Sequence, residues 1–180
     1  MTRHVALLRA VNLAGKNTVA MTDLRTLLSE LGLEDPRSLL ASGNLVFGSA
    51  KRSTDQLEAL LERETEARLG LATDYFVRTA REWRALVDAN PFTAEAEAEP
   101  GWLLVLAAKD APTAARVRLL QDAIHGRERV TAVGRQAYAV YPDGIGRSKL
   151  TTAVLERHLS TRVTGRNWNT VLKLLALVEE

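Results

Sequence analysis

Short apolar runs alternate with amphipathic patterns along the first half of the chain. "RHVALLRAV" predicts a strand buried on both faces, and the Asn, Gly and Lys residues of "NLAGKNTVA" predict a loop after it. A helix that ends at Gly32 is predicted by four leucines with helical spacing, Leu24, Leu27, Leu28 and Leu31. The segment "RSLLASGNLVFGS" predicts either two short strands that meet at "SGN" or one strand that is kinked there.

Two capping boxes mark the starts of further helices. Ser53 with Gln56 begins one helix, and Thr79 with Glu82 begins another. The apolar segment "DYFVRT" lies between them and predicts a strand. The first half therefore has the order β-α-β-β-α-β, followed by one more helix.

The second half follows an acidic stretch, "TAEAEAEP" at residues 93–100, which is poor in apolar side chains and favours a linker. "WLLVLAA" then predicts a buried strand, and a helix with Pro112 near its first turn follows. "RVTAVGRQAYAVYP" predicts a hairpin that turns at Gly134-Arg135. Helices are predicted from about Ser148 to Leu159 and over the last apolar stretch, which carries Val171, Leu174, Leu175 and Val178.

The order of these elements predicts the fold class. It is β-α-β-β-α-β in the first half and β-α-β-β-α-α in the second, which indicates an α+β fold of two ferredoxin-like βαββα subdomains with sheets covered by helices. We predict an N-terminal subdomain with its following helix at residues 1–92, a linker at 93–100, and a C-terminal subdomain with an extra C-terminal helix at 101–180. No residue motif shared by the halves was identified, so duplication is inferred from element order alone.

The composition is that of an ordinary globular protein. Of 180 residues, 46% are hydrophobic and 26% are charged, which is enough to bury a sizeable core. The formal net charge is +2, and this balance does not favour wholesale electrostatic capture of nucleic acid or membrane. Any cationic patch must therefore be local.

Several chemistries are excluded by residue type. The chain has no Cys, which removes disulfides, thiolate metal sites and Fe–S clusters and agrees with a reducing cytosol. Its three histidines, His4, His125 and His158, are too scattered to form a local ligand pair, so we expect no metal and no cofactor. We find neither a leader nor an apolar run of membrane-spanning length, and we expect a soluble, cytoplasmic protein without a membrane partner. The oligomeric state stays open.

The stretch "YPDGIGRSKL" at residues 141–150 is the first candidate for chemistry. Lysine is scarce in this arginine-rich chain, yet Lys16 and Lys149 both lie in loops that contain glycine. In the second loop, Gly144 and Gly146 permit close backbone approach, and Ser148 is expected to cap a helix with Lys149 in its first turn. This arrangement, with Arg147 beside it, is suited to a phosphate or carboxylate.

A purely conformational explanation of this loop is equally open. The stretch lacks the GxxxxGK[ST] spacing of a phosphate-binding loop, and no Asp-bearing strand for Mg²⁺ can be assigned opposite it. The glycines would then supply positive φ at a strand-to-helix turn, Ser148 would only cap the helix, and the cations would be solvated.

"GRNWNTV" at residues 165–171 is the second candidate. Arg166, Asn167, Asn169 and Thr170 surround Trp168 with hydrogen-bonding groups, a composition suited to a planar polar ligand. The alternative is that Asn167 or Asn169 caps the last helix and the indole packs in the core. For the segment "SGN" at residues 42–44, a hairpin turn is the simpler explanation.

No reaction can be assigned, because the chain has no GxSxG elbow, no HExxH helix and no evident carboxylate pair. Our leading hypothesis is a protein, enzymatic or not, that binds a small phosphorylated or carboxylated ligand. One alternative is a nucleic-acid-binding module, which is less favoured because only Tyr75, Tyr138 and Tyr141 are available to stack bases and the RNP1 pattern is missing. The other is a structural or interaction protein.

Five ordered segments resemble one family. "ALLRAVNLAGKN", "LASGNLVF", "NPF", "YPDGIGRSKL" and "RNWNTV" are similar to successive signatures of the bacterial domain of unknown function 1697. The resemblance runs from end to end and implies a cytosolic α/β protein with two subdomains of ferredoxin-like character, without an established activity. Ala10 departs from the family pattern, in which Gly is frequent, and this affects only how tightly the first strand turns.

The candidate ligand-binding residues come from both halves. In this hypothesis the anion contacts Lys149, Arg147 and the backbone beside Gly146, while Lys16 and Arg9 reach in from the first half. We expect the segments to converge because they lie at strand ends or helix starts. The full candidate set is Arg9, Asn12, Lys16, Ser42, Asn44, Gly144, Gly146, Arg147, Ser148, Lys149, Arg166, Asn167, Trp168 and Asn169.

Overall fold

The computed structural model describes residues 1–180, beginning with a four-stranded antiparallel sheet and its helices. The sheet has the order β2-β3-β1-β4, with the first strand paired to both the third and the fourth. The two-strand interpretation of the "SGN" region is thereby confirmed. The elements are β1 (Thr2–Leu8), α1 (Met21–Glu30), β2 (Glu34–Ser38), β3 (Asn44–Ser49), α2 (Thr54–Leu69), β4 (Tyr75–Thr79) and α3 (Ala80–Asp88).

A second sheet repeats this topology further along the chain. It is also four-stranded and antiparallel, with the order β6-β7-β5-β8. Strands β6 and β7 form the predicted hairpin, which turns at Gly134 and Arg135. The elements are α4 (Thr93–Ala98), β5 (Leu103–Ala108), α5 (Ala114–Ala123), β6 (Arg129–Val133), β7 (Gln136–Val140), α6 (Thr152–Leu159), β8 (Val163–Asn167) and α7 (Trp168–Glu179).

The mixed α/β architecture with two β-α-β-β-α units is confirmed, but the second half has one more strand than its pattern predicted. Strand β8 lies where no strand was assigned, because Thr164, Gly165 and Arg166 interrupt any apolar run. It pairs along β5 from Ala108 to Leu104. With β8 included, the two halves have the same order of strands and helices.

Contacts divide the chain into two compact units. The first contains Met1–Ala85 together with Lys173–Glu180, and the second contains Leu86–Leu172. The division thus falls inside α3 and α7 and not in the acidic segment 93–100. That segment forms α4 and a following 3-10 turn, and its role as a linker stays a prediction.

Strands β1 and β5 are buried on both faces, as the run "RHVALLRAV" predicted for β1. In the first unit, one face of β1 packs with the leucines of α1 and α2, while Val5 and Leu7 on the other face are also buried. In the second unit, Leu106 and Ala108 of β5 pack with α5 and α6. Nearly continuous apolar sequence in a strand reflects this two-sided burial.

The two predicted capping boxes are present. Ser53 Oγ accepts a hydrogen bond from the Gln56 backbone N–H, and Gln56 Oε1 accepts one from the Ser53 N–H. Thr79 and Glu82 exchange the same pair of bonds at the start of α3. Each box satisfies amides that the first turn of a helix leaves without partners.

Glutamate side chains cover the open edge of the first sheet. Strand β4 is an edge strand, and the backbone N–H groups of its alternate residues Tyr75 and Val77 have no neighbouring strand to bond. They donate to Glu62 Oε1 at 2.9 Å and to Glu58 Oε1 at 2.8 Å, both on α2. In the second unit, Glu156 of α6 accepts from Val163 N on the edge strand β8 in the same manner.

Each unit also buries an arginine on its last strand. Arg78 on β4 and Arg166 on β8 each donate from Nη1 to the carbonyl of the preceding residue at 2.9 Å. The next residue in each case, Thr79 or Asn167, caps the helix that follows. This shared arrangement supports an internal duplication that element order alone had indicated.

The edge contacts predict a large stability effect at Glu58. Glu58→Ala removes the acceptor of the buried Val77 N–H and the carboxylate that lies 3.6 Å from Arg78. We expect the free energy of unfolding to fall by about 3 kcal/mol in urea denaturation followed by circular dichroism. The control Glu66→Ala changes an exposed glutamate on the same helix and should stay within about 0.5 kcal/mol of the parent. Equal stability of the two variants would contradict the assigned role.

Candidate functional site

The glycine-rich loop of the second unit folds differently from the expected helix start. Gly144 has φ +89°, as a turn after β7 requires, and Ile145–Arg147 form a 3-10 turn. Helix α6 begins only at Thr152, and Thr151 caps it by accepting from Val154 N. The predictions that Ser148 caps this helix and that Lys149 lies in its first turn are therefore wrong.

The reason is that the Ser148 hydroxyl already has two partners. It donates to Glu128 Oε1 at 2.5 Å and accepts from Leu150 N at 3.0 Å, so it closes a turn of its own ahead of the helix. Glu128 lies 20 residues earlier in the chain, just before β6. A contact at that separation leaves no signal in the local pattern around residue 148.

A cavity of about 330 Å³ lies against this loop. Its apolar floor is made of side chains from α5 and α6 and from the residues next to these helices. Its rim combines the loop with the connection between α5 and β6. The floor contains Leu120, Ile124, Leu150 and Val154, and the rim includes His125, Gly126, Glu128, Asp143, Gly144, Arg147, Ser148 and Lys149.

The carboxylates of the rim already have partners, whereas its cations do not. Glu128 accepts from Ser148, and this bond together with a backbone N–H lowers the pKa of the Glu128 carboxyl. Asp143 accepts from Arg127 Nη1 at 2.7 Å. Arg147 and Lys149 are exposed and take part in no ion pair. The rim can therefore offer two cationic groups to an anion.

The backbone of Gly126 lies directly against the carboxylate of Glu128. A Cβ at residue 126 would collide with the Glu128 carboxylate. The glycine thus lets Glu128 lie against the backbone and reach Ser148. Glu128 and Gly126 were not among the predicted site residues.

The "RNWN" segment ends β8 and begins α7 outside this cavity. Asn167 Oδ1 accepts from Thr170 N at 3.0 Å, so the capping explanation of this residue is confirmed. Trp168 is buried, with 7% of its surface exposed, and Asn169 is exposed. Arg166 donates to Thr164 Oγ1 and to a backbone carbonyl, and burial lowers its pKa to about 10.

The two candidate segments of the second unit follow strands that end at the same end of the sheet, beside the start of β5. Val140 at the end of β7 lies opposite Leu103, and Asn167 at the end of β8 lies opposite Leu104. Strand β5 separates them, which corresponds to roughly 10 Å between the strand axes. The cavity lining contains Gly144, Arg147, Ser148 and Lys149 but not Gly146 or the residues from Arg166 to Asn169.

The candidate residues of the first unit lie where β1 ends and β3 begins. Asn12 Nδ2 donates to Ala41 O at 2.7 Å and to Val19 O at 3.0 Å, and Asn12 Oδ1 accepts from Val19 N. Asn44 is fully buried and donates to Leu39 O and to Ser42 Oγ. These bonds give Asn12 and Asn44 a role in holding the two loops together.

Arg9 and Lys16 belong to the same end of the first unit. Arg9 is half-buried and follows β1 directly, while Lys16 is exposed and closes a turn by donating its backbone N–H to Leu13 O at 2.8 Å. That these two cations share a ligand with Lys149 stays a prediction.

The loop after β1 holds several non-glycine residues at positive φ. Ala10, Asn12, Ala14 and Asn17 have φ between 48° and 53°, in the left-handed region that side chains other than Gly and Asn disfavour. At the position of Ala10, the family that the sequence resembles often has Gly. The departure therefore places an alanine in a backbone conformation that suits glycine.

The three tyrosines considered for base stacking are all buried. Tyr75 and Tyr138 have no exposed surface, and Tyr141 has 2%. Each hydroxyl has a partner inside the fold: Thr65 Oγ1 for Tyr75, Leu86 O for Tyr138 and Leu150 O for Tyr141. None of them can stack a base, which removes the observation on which the nucleic-acid alternative rested.

The structure has no group of three or more His, Asp or Glu side chains placed to hold a metal ion. None of its helices combines the length and apolar character that crossing a membrane would need.

Comparison with known proteins gives a family and a fold. The family model described as "Protein of unknown function (DUF1697)" matches residues 1–138. No curated protein matches the chain. Among solved structures, the chain is similar to the conserved bacterial protein SP0830 from Streptococcus pneumoniae, with 22% identity, a TM-score of 0.72 and 98% of each chain covered. At this identity the likeness shows the shared fold.

Ala10 provides a test of the strained loop. Ala10→Gly should raise the free energy of unfolding by about 0.5 to 1 kcal/mol, because glycine adopts φ +53° without a Cβ penalty. The control Ala59→Gly lies in the exposed interior of α2 and should lower it by about 1 kcal/mol. Thermal unfolding of the parent and the two variants shows whether each substitution raises or lowers the stability. A destabilised Ala10→Gly variant would contradict the assigned backbone conformation.

The buried tyrosines predict an alkaline limit to stability. Burial raises the pKa of Tyr75, Tyr138 and Tyr141 to about 12, whereas in the unfolded chain tyrosine ionises near its ordinary pKa of 10.0. The folded state therefore binds more protons between these values, so this stability is complete below pH 10 and is lost towards pH 12. Tyrosinate absorbance should appear in one step, together with the loss of helical circular dichroism. A tyrosine that titrates near pH 10 in the folded protein would contradict the burial.

Proposed function

We propose that this chain, which belongs to the DUF1697 family of proteins of unknown function, binds a small carboxylated or phosphorylated ligand in the cavity of its second unit. One observation carries the proposal: two cations without ion-pair partners, Arg147 and Lys149, stand on the rim of a cavity with an apolar floor. Ligand sites commonly combine apolar walls with a few placed polar groups.

The cavity supports a small ligand with an apolar body. Its volume of about 330 Å³ is at the lower end of the range of small-molecule sites. Leu120, Ile124, Leu150 and Val154 can cover aliphatic or aromatic carbon, and burying that carbon contributes about 25 cal/mol per Å². A fully polar ligand would leave this floor unused.

The rim supports an anionic group on that ligand. Ser148 binds Glu128 and Arg127 binds Asp143, so both carboxylates have cationic or hydroxyl partners of their own. Arg147 and Lys149 can then bind an incoming carboxylate or phosphate without first breaking an ion pair. Lysine supplies a mobile point charge, and arginine supplies a planar pair of donors.

Glu128 has a positioning role in this proposal. Its bond to Ser148 ties the connection before β6 to the loop that carries Lys149. The same bond uses the hydroxyl proton of Ser148, so this hydroxyl has no proton to donate to the ligand. Lys149 and Arg147 therefore carry the electrostatic part of recognition.

Lys149→Ala tests the proposal. Parent and variant are screened by thermal unfolding against straight-chain carboxylates of increasing length, benzoate and the corresponding phosphate monoesters. A compound present at 100 times its dissociation constant should stabilise the parent by about 2.7 kcal/mol, and Lys149→Ala should lose most of this gain while the free protein stays folded.

Lys173→Ala is the matched control, because Lys173 is an exposed lysine on α7 outside the cavity. It should keep the full response to each compound. The proposal fails if no compound stabilises the parent, or if Lys149→Ala and Lys173→Ala respond equally. Stabilisation that does not increase with the apolar part of the ligand would rule out the role of the floor.

A further inference from the structure

A groove in the first unit occupies the same place as the cavity of the second. The cavity lies between the connection from α5 to β6 and the connection from β7 to α6. The groove lies between the connection from α1 to β2 and the connection from β3 to α2, and it has a volume of about 720 Å³. Since the two units have the same strand order, these are equivalent corners of the repeat.

Residue types repeat at the two corners as well. Gly32-Leu33-Glu34 follows α1 in the first unit, and Gly126-Arg127-Glu128 follows α5 in the second. The second connection carries two basic residues in both units: Lys51 and Arg52 at one corner, Arg147 and Lys149 at the other. The different lengths of the second connection, residues 50–53 against 141–151, hide this repeat in the sequence.

The groove has a more positive lining than the cavity. The lining contains three cations, Lys51, Arg52 and Arg63, and one carboxylate, that of Glu34. Lys51 and Arg52 are exposed and take part in no ion pair, and Arg63 pairs only with its neighbour Glu64 at 2.9 Å. The apolar floor is missing, because the only large apolar residue in the lining is the half-buried Leu60. Such a lining suits a hydrated anion with several charges.

The shape of the groove selects an elongated anion. Gln56, Leu60 and Arg63 lie on one face of α2 and line the groove, which therefore follows about two turns of the helix. Seven residues of helix correspond to roughly 10 Å. Lys51 and Arg52 lie at the start of this length and Arg63 at its end.

We propose that this groove is a second anion site, which binds a short linear phosphate chain between Lys51 and Arg52 at one end and Arg63 at the other. The site is distinct from the cavity of the second unit in its residues and in the ligand that it accepts. Its existence does not require that the cavity binds anything.

Isothermal titration of the full-length protein with inorganic tripolyphosphate, at low ionic strength and without other phosphate, tests the site. We expect saturable binding to one site and at least tenfold weaker binding of orthophosphate, because a single phosphate cannot span the groove. The variants are the double substitution Lys51→Ala with Arg52→Ala, the single substitution Arg63→Ala, and the control Arg118→Ala on an exposed arginine of α5. The first two should weaken tripolyphosphate binding tenfold or more, and the control should leave it unchanged.

Two further measurements keep the outcomes separate. The titration is repeated on Lys149→Ala, and a loss of tripolyphosphate affinity there as large as in the groove variants would place the binding in the cavity and overturn the groove proposal. If circular dichroism shows that the double alanine variant is unfolded, the double substitution Lys51→Gln with Arg52→Gln replaces it. The proposal is overturned if there is no saturable binding, if Arg118→Ala weakens binding as much as the groove variants do, or if orthophosphate binds as tightly as tripolyphosphate. A single-stranded oligonucleotide that binds the groove more tightly than tripolyphosphate also overturns it.

Discussion

The open edges of two four-stranded sheets are the constraint on which this fold depends. An edge strand presents backbone amides without partners, and burying them unpaired would cost more than most single side chains can contribute. Glu58 and Glu62 accept from the edge strand β4, and Glu156 accepts from β8. These bonds fix α2 and α6 against their sheets. The start of each of these helices then sets the position of the loop before it, and the two loops carry Lys51 and Arg52 in the first unit and Arg147 and Lys149 in the second.

Local chemistry predicted most elements, whereas contacts between distant residues set the details of the site. Neighbouring residues determine both capping boxes, the hairpin at Gly134 and the two-sided burial of β1. The sequence predicts each of these features, and the structure confirms them. The apolar pattern does not predict strand β8, because its sequence contains a glycine and a buried arginine. Ser148 was misassigned because its partner, Glu128, lies on another connection. The cavity floor leaves no signal of its own in the sequence, because Leu120 and Leu150 are apolar residues of the kind that fill any core.

The two units illustrate how a duplicated corner can diverge. A glycine and a glutamate follow α1 in the first unit and α5 in the second, and two basic residues precede α2 and α6. In the second unit the longer connection covers apolar side chains of α5 and α6, and the rim holds equal numbers of paired carboxylates and free cations. In the first unit the short connection leaves an open, mostly basic groove. The two ligands that we propose therefore differ mainly because the connections differ in length, and less because their residue types differ.

The last turns of α7 belong to the first unit, and this has a consequence for synthesis of the protein. Leu174 and Val178 are buried, and Glu179 and Glu180 pair with Arg84 and Arg37. A nascent chain that has emerged only as far as the first sheet lacks these contacts, so the unit made first cannot complete its packing until translation has passed residue 180. The second unit, Leu86–Leu172, is continuous and does not have to wait. Domains usually fold in the order of their synthesis on the ribosome, whereas here completion of the first unit depends on the end of α7.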